Sequence, residues 1–158
     1  MPETNYQNDL TFDEKLMISI VGAAENFKRA HSALFKKYGL SFPQYNILRV
    51  LEASDRGQNT ISVVGKIMLV PGANMTGLAR RLENKGFVLR KADPDDKRYA
   101  ILEITKMGRE SLKRIEAEKN KSYEIILMNL GPADKKDVLD KIRKMIRSTT
   151  ELNKILSR

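Results

Sequence analysis

The sequence predicts a mainly α-helical protein with a small β-hairpin near its middle, and three observations support this fold class. Apolar residues recur at intervals of three and four along both ends of the chain, as on the buried face of an amphipathic helix. Glycine and proline interrupt these segments where helices commonly begin or end. Near residue 87 the pattern changes to two short runs rich in β-branched and aromatic residues, which are typical of strands. The order of elements predicts a winged helix-turn-helix between long terminal helices.

Two helices are predicted in the first third of the chain. The first covers about residues 12–38, where Thr11 or Asp13 can cap the start and Gly39 suits the end. Its apolar stripe follows steps of four and three: Leu16, Ile20, Ala23, Phe27, Ala30 and Leu34. The second helix begins at Pro43, a favoured first-turn residue. Its inward residues are Tyr45, Leu48 and Leu51.

A helix-turn-helix is predicted next. Residues 54–59 are rich in turn-forming types and predict a turn, and a short helix follows Thr60. Pro71 and Gly72 break that helix. A further helix is predicted over about 73–85, with Gly86 after its end. Its buried stripe is Met75, Leu78, Ala79 and Leu82.

A hairpin and two more helices complete the chain. Residues 87–91 and 99–104 predict two strands joined by a loop that is longer than a tight turn. A helix is then predicted over about 105–130, and Gly131 and Pro132 separate it from the last helix. The stripe of that last helix is Val138, Ile142, Met145, Thr149, Leu152 and Leu156. Long amphipathic helices with little globular body to cover them usually pack against another copy of the chain.

These elements define three predicted segments of the chain. They are an N-terminal dimerisation helix (1–40), a winged helix-turn-helix domain (41–106) and C-terminal dimerisation helices (107–158).

Composition excludes several classes of protein. The 158 residues include no cysteine and one histidine, which excludes disulfides and thiolate zinc sites and disfavours a histidine-rich metal site. We find no signal peptide and no apolar stretch of the roughly 20 residues that span a bilayer, so we expect a cytoplasmic protein without a membrane partner. Gly-rich phosphate loops, metal-ligand spacings and nucleophile–base pairs are also missing from the sequence, so we predict neither an enzyme nor a cofactor.

The charge is basic and unevenly distributed. The formal net charge is +9, of which residues 60–104 contribute +3 and residues 105–158 contribute +6. A basic chain favours a polyanionic partner, most often a nucleic acid. On long terminal helices, however, lysine and arginine usually form a solvated face, so the specific argument for DNA depends on the middle segment.

The helix at 73–85 suits the major groove of double-stranded DNA, because a helix fits that groove. Asn74 and Thr76 near its start are short and polar, and the unpaired amides of a helix start favour a phosphate oxygen. Arg80 and Arg81 can contact phosphates or guanine.

The loop of the hairpin places carboxylates beside cations. Asp96 can hydrogen-bond Arg98 and orient its guanidinium, which could then enter the narrow, negative minor groove. The alternative is a solvated acidic turn in which the ion pair contributes little.

Residues 76–108, TGLARRLENKGFVLRKADPDDKRYAILEITKMG, are similar to the MarR family of winged-helix transcription regulators. The matching positions are Arg81, Leu82, Glu83, Lys85, Gly86, Arg90, Asp96, Arg98, Thr105 and Gly108, with Gln44, Tyr45 and Leu48 upstream. The resemblance implies a homodimer held by the first, fifth and sixth helices on a near-palindromic operator. It implies repression, and release of DNA by small phenolic or carboxylate ligands.

The resemblance and the helix pattern together give a candidate DNA-binding set. It comprises Asn74, Thr76, Gly77, Arg80, Arg81, Lys85, Arg90, Asp96, Lys97 and Arg98. Two positions depart from the family pattern. Gly77 stands where a longer side chain is usual, which implies weaker base specificity, and Gly65 stands where alanine is usual. We assign no ligand-binding residues, and interpret His31 as a packed or solvated residue.

The alternative hypothesis is a winged helix that binds another protein and has no role on DNA, because a fold does not fix a function. Exposed aromatic residues would favour that alternative, and the helix at 73–85 contains none.

Overall fold

The computed structural model describes residues 10–94 and 100–157. In these residues the elements are α1 (Phe12–Lys36), α2 (Phe42–Glu52), β1 (Gln58–Thr60), α3 (Ile61–Met68), α4 (Gly72–Asn84), β2 (Val88–Ala92), β3 (Ala100–Ile104), α5 (Lys106–Ile126) and α6 (Pro132–Leu156). The predicted fold class, mainly helical with a small β-wing, is confirmed. The chain divides into two compact units between Ala117 and Glu118, within α5. The predicted boundaries after residues 40 and 106 stay a prediction.

Side-chain caps explain where the helices begin. Thr11 caps α1 in a capping box with Glu14, as one of the two predicted caps. Hydrogen bonds from the backbone amide and the hydroxyl of Thr11 lower the pKa of the Glu14 carboxyl below its usual value. Ser41 forms the corresponding box with Gln44, so α2 begins one residue before Pro43. The hydroxyl of Thr60 accepts a hydrogen bond from the amide of Val63 at the start of α3.

The core of the first unit lies where α2 and α4 face the sheet. All of the residues predicted to point inward from these two helices are buried: Tyr45, Leu48, Leu51, Met75, Leu78, Ala79 and Leu82. Phe35 stacks on Tyr45 at 3.9 Å between ring centroids, which joins α1 to the same core. Helices α1, α2 and α4 therefore contribute side chains to one core.

The sheet contains one more strand than the sequence predicts. Its order is β1-β3-β2, with both pairs antiparallel. The predicted turn over 54–59 is therefore wrong at its end, because Gln58 pairs with Glu103 and Thr60 with Ile101. The segment Gln-Asn-Thr is short and polar and lacks apolar alternation, so only backbone pairing to the edge of β3 reveals it as a strand.

The terminal helices leave most of their predicted apolar stripes exposed. In α1 the buried residues are His31 and Phe35, whereas Leu16 on the predicted stripe is exposed. In α6, Ile142 is exposed, and no described residue of that helix is buried. The apolar stripe correctly predicts that each segment is helical, but it does not identify the surface that covers the stripe.

Within residues 10–94 and 100–157, no single helix combines the length and the apolar character needed to cross a membrane.

Candidate nucleic-acid interface

Helices α3 and α4 form a helix-turn-helix. Their directions differ by 113° across a break of three residues, 69–71. Helix-turn-helix motifs join their two helices at about 90–120° through a turn of three to four residues. The structure therefore confirms the predicted motif and makes α4 its second helix.

The turn between the two helices is tight and close-packed. Leu69 ends α3 in the left-handed conformation, with φ 54°, and the amide of Val70 donates to the carbonyl of Gly65 at 3.0 Å. A Cβ atom on Gly65 would lie 3.0 Å from Cγ of Met75. A small residue at position 65 thus allows the close approach of α3 to α4.

The outer face of α4 presents the predicted polar residues to solvent. Asn74, Thr76, Arg80 and Arg81 are exposed, while Met75 between them is completely buried. The apolar stripe therefore fixes the helix from behind and leaves its polar side outward. Gly77 lies in the middle of this outer side, and a Cβ atom there would contact only the guanidinium nitrogens of Arg81, at 3.8 and 4.0 Å.

The first turn of α4 exposes backbone donors. Its N-cap is Pro71, which makes no capping hydrogen bond through its side chain. The hydroxyl of Thr76 donates to the carbonyl of Gly72 at 3.3 Å, so it does not compete for the first amides. Such amides, at the positive end of the helix dipole, suit a phosphate oxygen.

An open depression of about 410 Å³ lies beside the outer face of α4. Asn74 and Arg81, two turns apart, line it together, with Pro43 at the start of α2 and Val70 in the turn. The sequence predicts Pro43 only as the first residue of a helix, because its nearness to α4 depends on how α2 packs.

The register of the wing places Arg90 on the helix side of the sheet. Arg90 in β2 is paired with Leu102 in β3, and Leu102 is completely buried against the core. Paired residues of an antiparallel sheet point to the same face, so the exposed Arg90 is on the side that packs against the helices. Lys91 points to the opposite face and forms an ion pair with Glu103. Arg90 is thus the described wing residue best placed to share a surface with α4.

Three of the predicted site residues, Asp96, Lys97 and Arg98, lie outside the described residues.

Lys85 has a definite partner within the protein. Its ammonium donates to the carbonyl of Gly39 at 2.6 Å, across 46 residues of sequence. The helix pattern and the family resemblance place Lys85 in the candidate DNA-binding set, and no feature of the sequence indicates its contact with Gly39.

The base of the wing is held by residues that resemble the family motif. The hydroxyl of Thr105 lies 2.7 Å from the carbonyl of Gly86 and 3.1 Å from that of Phe87, and it accepts from the amide of Gly108. A Cβ atom on Gly108 would lie 2.5 Å from the carbonyl oxygen of Phe87. These residues therefore fix the strand that follows α4 to the start of α5.

His31 is a packed residue. It is buried, its ring lies 4.0 Å from that of Phe27, and its Nδ1 lies 2.9 Å from the Phe27 carbonyl oxygen. The packed interpretation of His31 is confirmed.

Comparison with known proteins identifies the same segment. A family model described as MarR family matches residues 38–98. The regulator TtmR of Methylorubrum extorquens, described as an HTH-type transcriptional regulator, is 29% identical over 109 residues. The match covers 69% of this chain and 55% of TtmR, so the chain spans little more than half of that relative.

Solved structures share the fold at low sequence identity. Sco3205 from Streptomyces coelicolor, a MarR family regulator solved in complex with DNA, superposes with a TM-score of 0.82 and 23% identity, over 89% of this chain and 93% of that one. The organohalide-sensing regulator RdhR-CbdbA1625, solved with 2,4-dichlorophenol bound, gives a TM-score of 0.80 at 17% identity, over 95% and 91%.

Proposed function

We propose that the chain is a transcription regulator of the MarR family, whose family model matches residues 38–98, and that it acts as a homodimeric repressor on a near-palindromic operator in double-stranded DNA. In this proposal α4 enters the major groove and the wing reaches the adjacent minor groove. The protein acts in the cytoplasm, where its DNA target lies.

The exposed polar face of α4 is the observation that carries this proposal. Helix α4 is the second helix of the helix-turn-helix, and its apolar side is buried in the core. Its opposite side exposes four polar side chains: Asn74, Thr76, Arg80 and Arg81. Two adjacent guanidinium groups supply charge and bidentate donors, and two short polar side chains lie near the helix start, where bases are usually contacted. Arg90 adds a cation from the neighbouring strand. From the candidate set we assign the following residues to the DNA surface: Asn74, Thr76, Gly77, Arg80, Arg81, Arg90, Asp96, Lys97 and Arg98.

Exposed apolar residues on the terminal helices support a homodimer. Large apolar side chains lie exposed on α1 and on α6, including Leu16, Val21, Ile142 and Leu152. Exposed apolar side chains on amphipathic helices commonly mark a protein interface. A two-fold partner would bury these side chains and present two copies of α4 to one duplex.

We propose further that a small phenolic or carboxylate ligand releases the DNA. The support is the fold shared with a regulator solved with 2,4-dichlorophenol bound.

Selection of bound sequences from a random duplex pool, at a stated salt concentration, tests the DNA-binding proposal. We expect an inverted repeat whose half-sites lie about one helical turn, roughly 10 base pairs, apart. We also expect the binding constant to fall steeply with salt, because protein–phosphate contacts release counterions. Recovery of no enriched sequence, together with no shift of random duplex at low salt, would favour the protein-interaction alternative.

A further inference from the structure

Lys85 joins the end of α4 to the end of α1. It is the C-cap residue of α4, and its ammonium is 2.6 Å from the carbonyl oxygen of Gly39. Gly39 lies just beyond α1 in the left-handed conformation, with φ 73°. One charged side chain therefore bridges the residue that follows α4 and the turn that follows α1.

This contact is a charge-assisted hydrogen bond between two exposed residues at the surface of the protein. A hydrogen bond from a charged donor is shorter and stronger than one between neutral groups. The 2.6 Å separation matches such a bond.

The acceptor side of the bond is itself fixed. Leu40, next to Gly39, is buried, and its amide donates to the carbonyl of Phe35 at 3.1 Å. On the other side of the same segment, the guanidinium carbon of Arg114 in α5 is 5.8 Å from the centre of the Tyr38 ring. The acceptor of the Lys85 bond thus lies between two residues that are held by contacts with the rest of the first unit.

From this geometry we infer that Lys85 is a positioning residue, which sets the orientation of α4 toward DNA through its bond to Gly39. The inference rests on the proposed DNA-binding function. In a dimer assembled through the terminal helices, each α4 would be oriented from its own α1, so that this bond contributes to the distance between the two reading helices. A phosphate-binding lysine would instead add affinity without affecting that distance.

Two substitutions at position 85 separate positioning from phosphate contact. Lys85→Met keeps the length of the side chain and removes the donor, whereas Lys85→Arg keeps a charged donor. We expect Lys85→Met to weaken binding to the preferred operator about 3- to 10-fold and to reduce discrimination between operators whose half-site spacing differs by one base pair. We expect Lys85→Arg to restore most of both properties.

The salt dependence provides the readout that a phosphate contact would change. Removing one phosphate contact lowers the slope of log K against log[salt] by about 0.9, and we expect this for the control Arg80→Met. For Lys85→Met we expect the slope of the parent protein. Any one of three results for Lys85→Met would overturn the inference. They are a salt slope lowered by about 0.9, an unchanged affinity for the operator, and a reduced affinity with unchanged discrimination between half-site spacings.

Amide hydrogen exchange without DNA tests the bond independently of the proposed function. Lys85→Met should accelerate exchange in the last turns of α1 and α4, and leave α3 unchanged. Equal exchange in variant and parent would overturn the bond between the helix ends. Failure of the parent protein to bind any duplex would instead overturn the proposed function, so the two failures are distinguishable.

Discussion

The guanidinium of Arg109 occupies the space that a side chain at Gly57 would need. A Cβ atom on Gly57 would overlap Nη2 of Arg109 and would lie 2.9 Å from Cγ2 of Ile104. The same guanidinium forms an ion pair with Glu52 at the end of α2. The glycine therefore allows the start of α5 to bind α2 across the turn that precedes β1.

Gly57→Ala is expected to destabilise the fold by about 1–3 kcal/mol. The residue has φ 71°, where a Cβ atom costs about 1–2 kcal/mol, and the added methyl group must displace Arg109 from Glu52. Urea unfolding followed by circular dichroism measures the change. Combining Gly57→Ala with Arg109→Ala removes part of the overlap, so we expect the double variant to lose less than the sum of the two single losses. Strict additivity would contradict the overlap.

The same substitution at two glycines within α4 and α5 should have opposite effects. Gly77→Ala is expected to raise the free energy of unfolding by about 1 kcal/mol, because alanine favours a helix and the new methyl group contacts only the flexible end of Arg81. Gly108→Ala is expected to lower it by about 1–3 kcal/mol, because its Cβ atom would lie 2.5 Å from the backbone oxygen of Phe87. Thermal unfolding of both variants beside the parent gives the comparison. A stabilised Gly108→Ala protein would show that α5 does not need this close approach.

Arg98→Ala should weaken binding to all duplexes and lower the salt slope by about 1, since we propose that its guanidinium enters the minor groove. Fluorescence anisotropy over a series of salt concentrations measures both effects. Lys28→Ala provides a control with the same change of charge, because Lys28 lies on α1 in an ion pair with Glu25. If Arg98→Ala kept the affinity and slope of the parent, the assignment of the wing would be wrong.

Ile142→Glu should convert a dimer into a monomer without unfolding the subunit. Ile142 is exposed in the single chain, so a charge there leaves the described packing intact but would be buried in a dimer interface. Sedimentation velocity gives the oligomeric state, and operator binding should fall with it. Arg147→Glu, on the opposite side of α6, serves as the control and should remain dimeric. A monomeric parent protein would exclude the homodimer in our proposal.

The sequence predicts the helices well because their signals are local. Thr11 is a cap that can be recognised from a few neighbouring residues. Met75 follows an apolar period that the core requires. The strand at Gln58 has no such signal, because it exists only through pairing with Glu103 far along the chain.

The candidate site is predictable only in part, for the same reason. The outward positions of Arg80 and Arg81 follow from the apolar stripe on the opposite side of α4. The partner of Lys85 cannot be inferred in this way, since Gly39 is 46 positions distant and offers a backbone oxygen that carries no sequence signal. Sequence patterns thus identify which side chains face outward but not which of them are already bound within the protein.

The left-handed leucine at position 69 has a consequence for protein engineering. An L-residue with a side chain costs about 1–2 kcal/mol in this conformation, and glycine avoids that cost. The side chain of Leu69 is exposed, so exchanging it for glycine sacrifices little packing. The bend between the two helices is therefore a place where a designer could add thermal tolerance while leaving the arginines of α4 in their present arrangement.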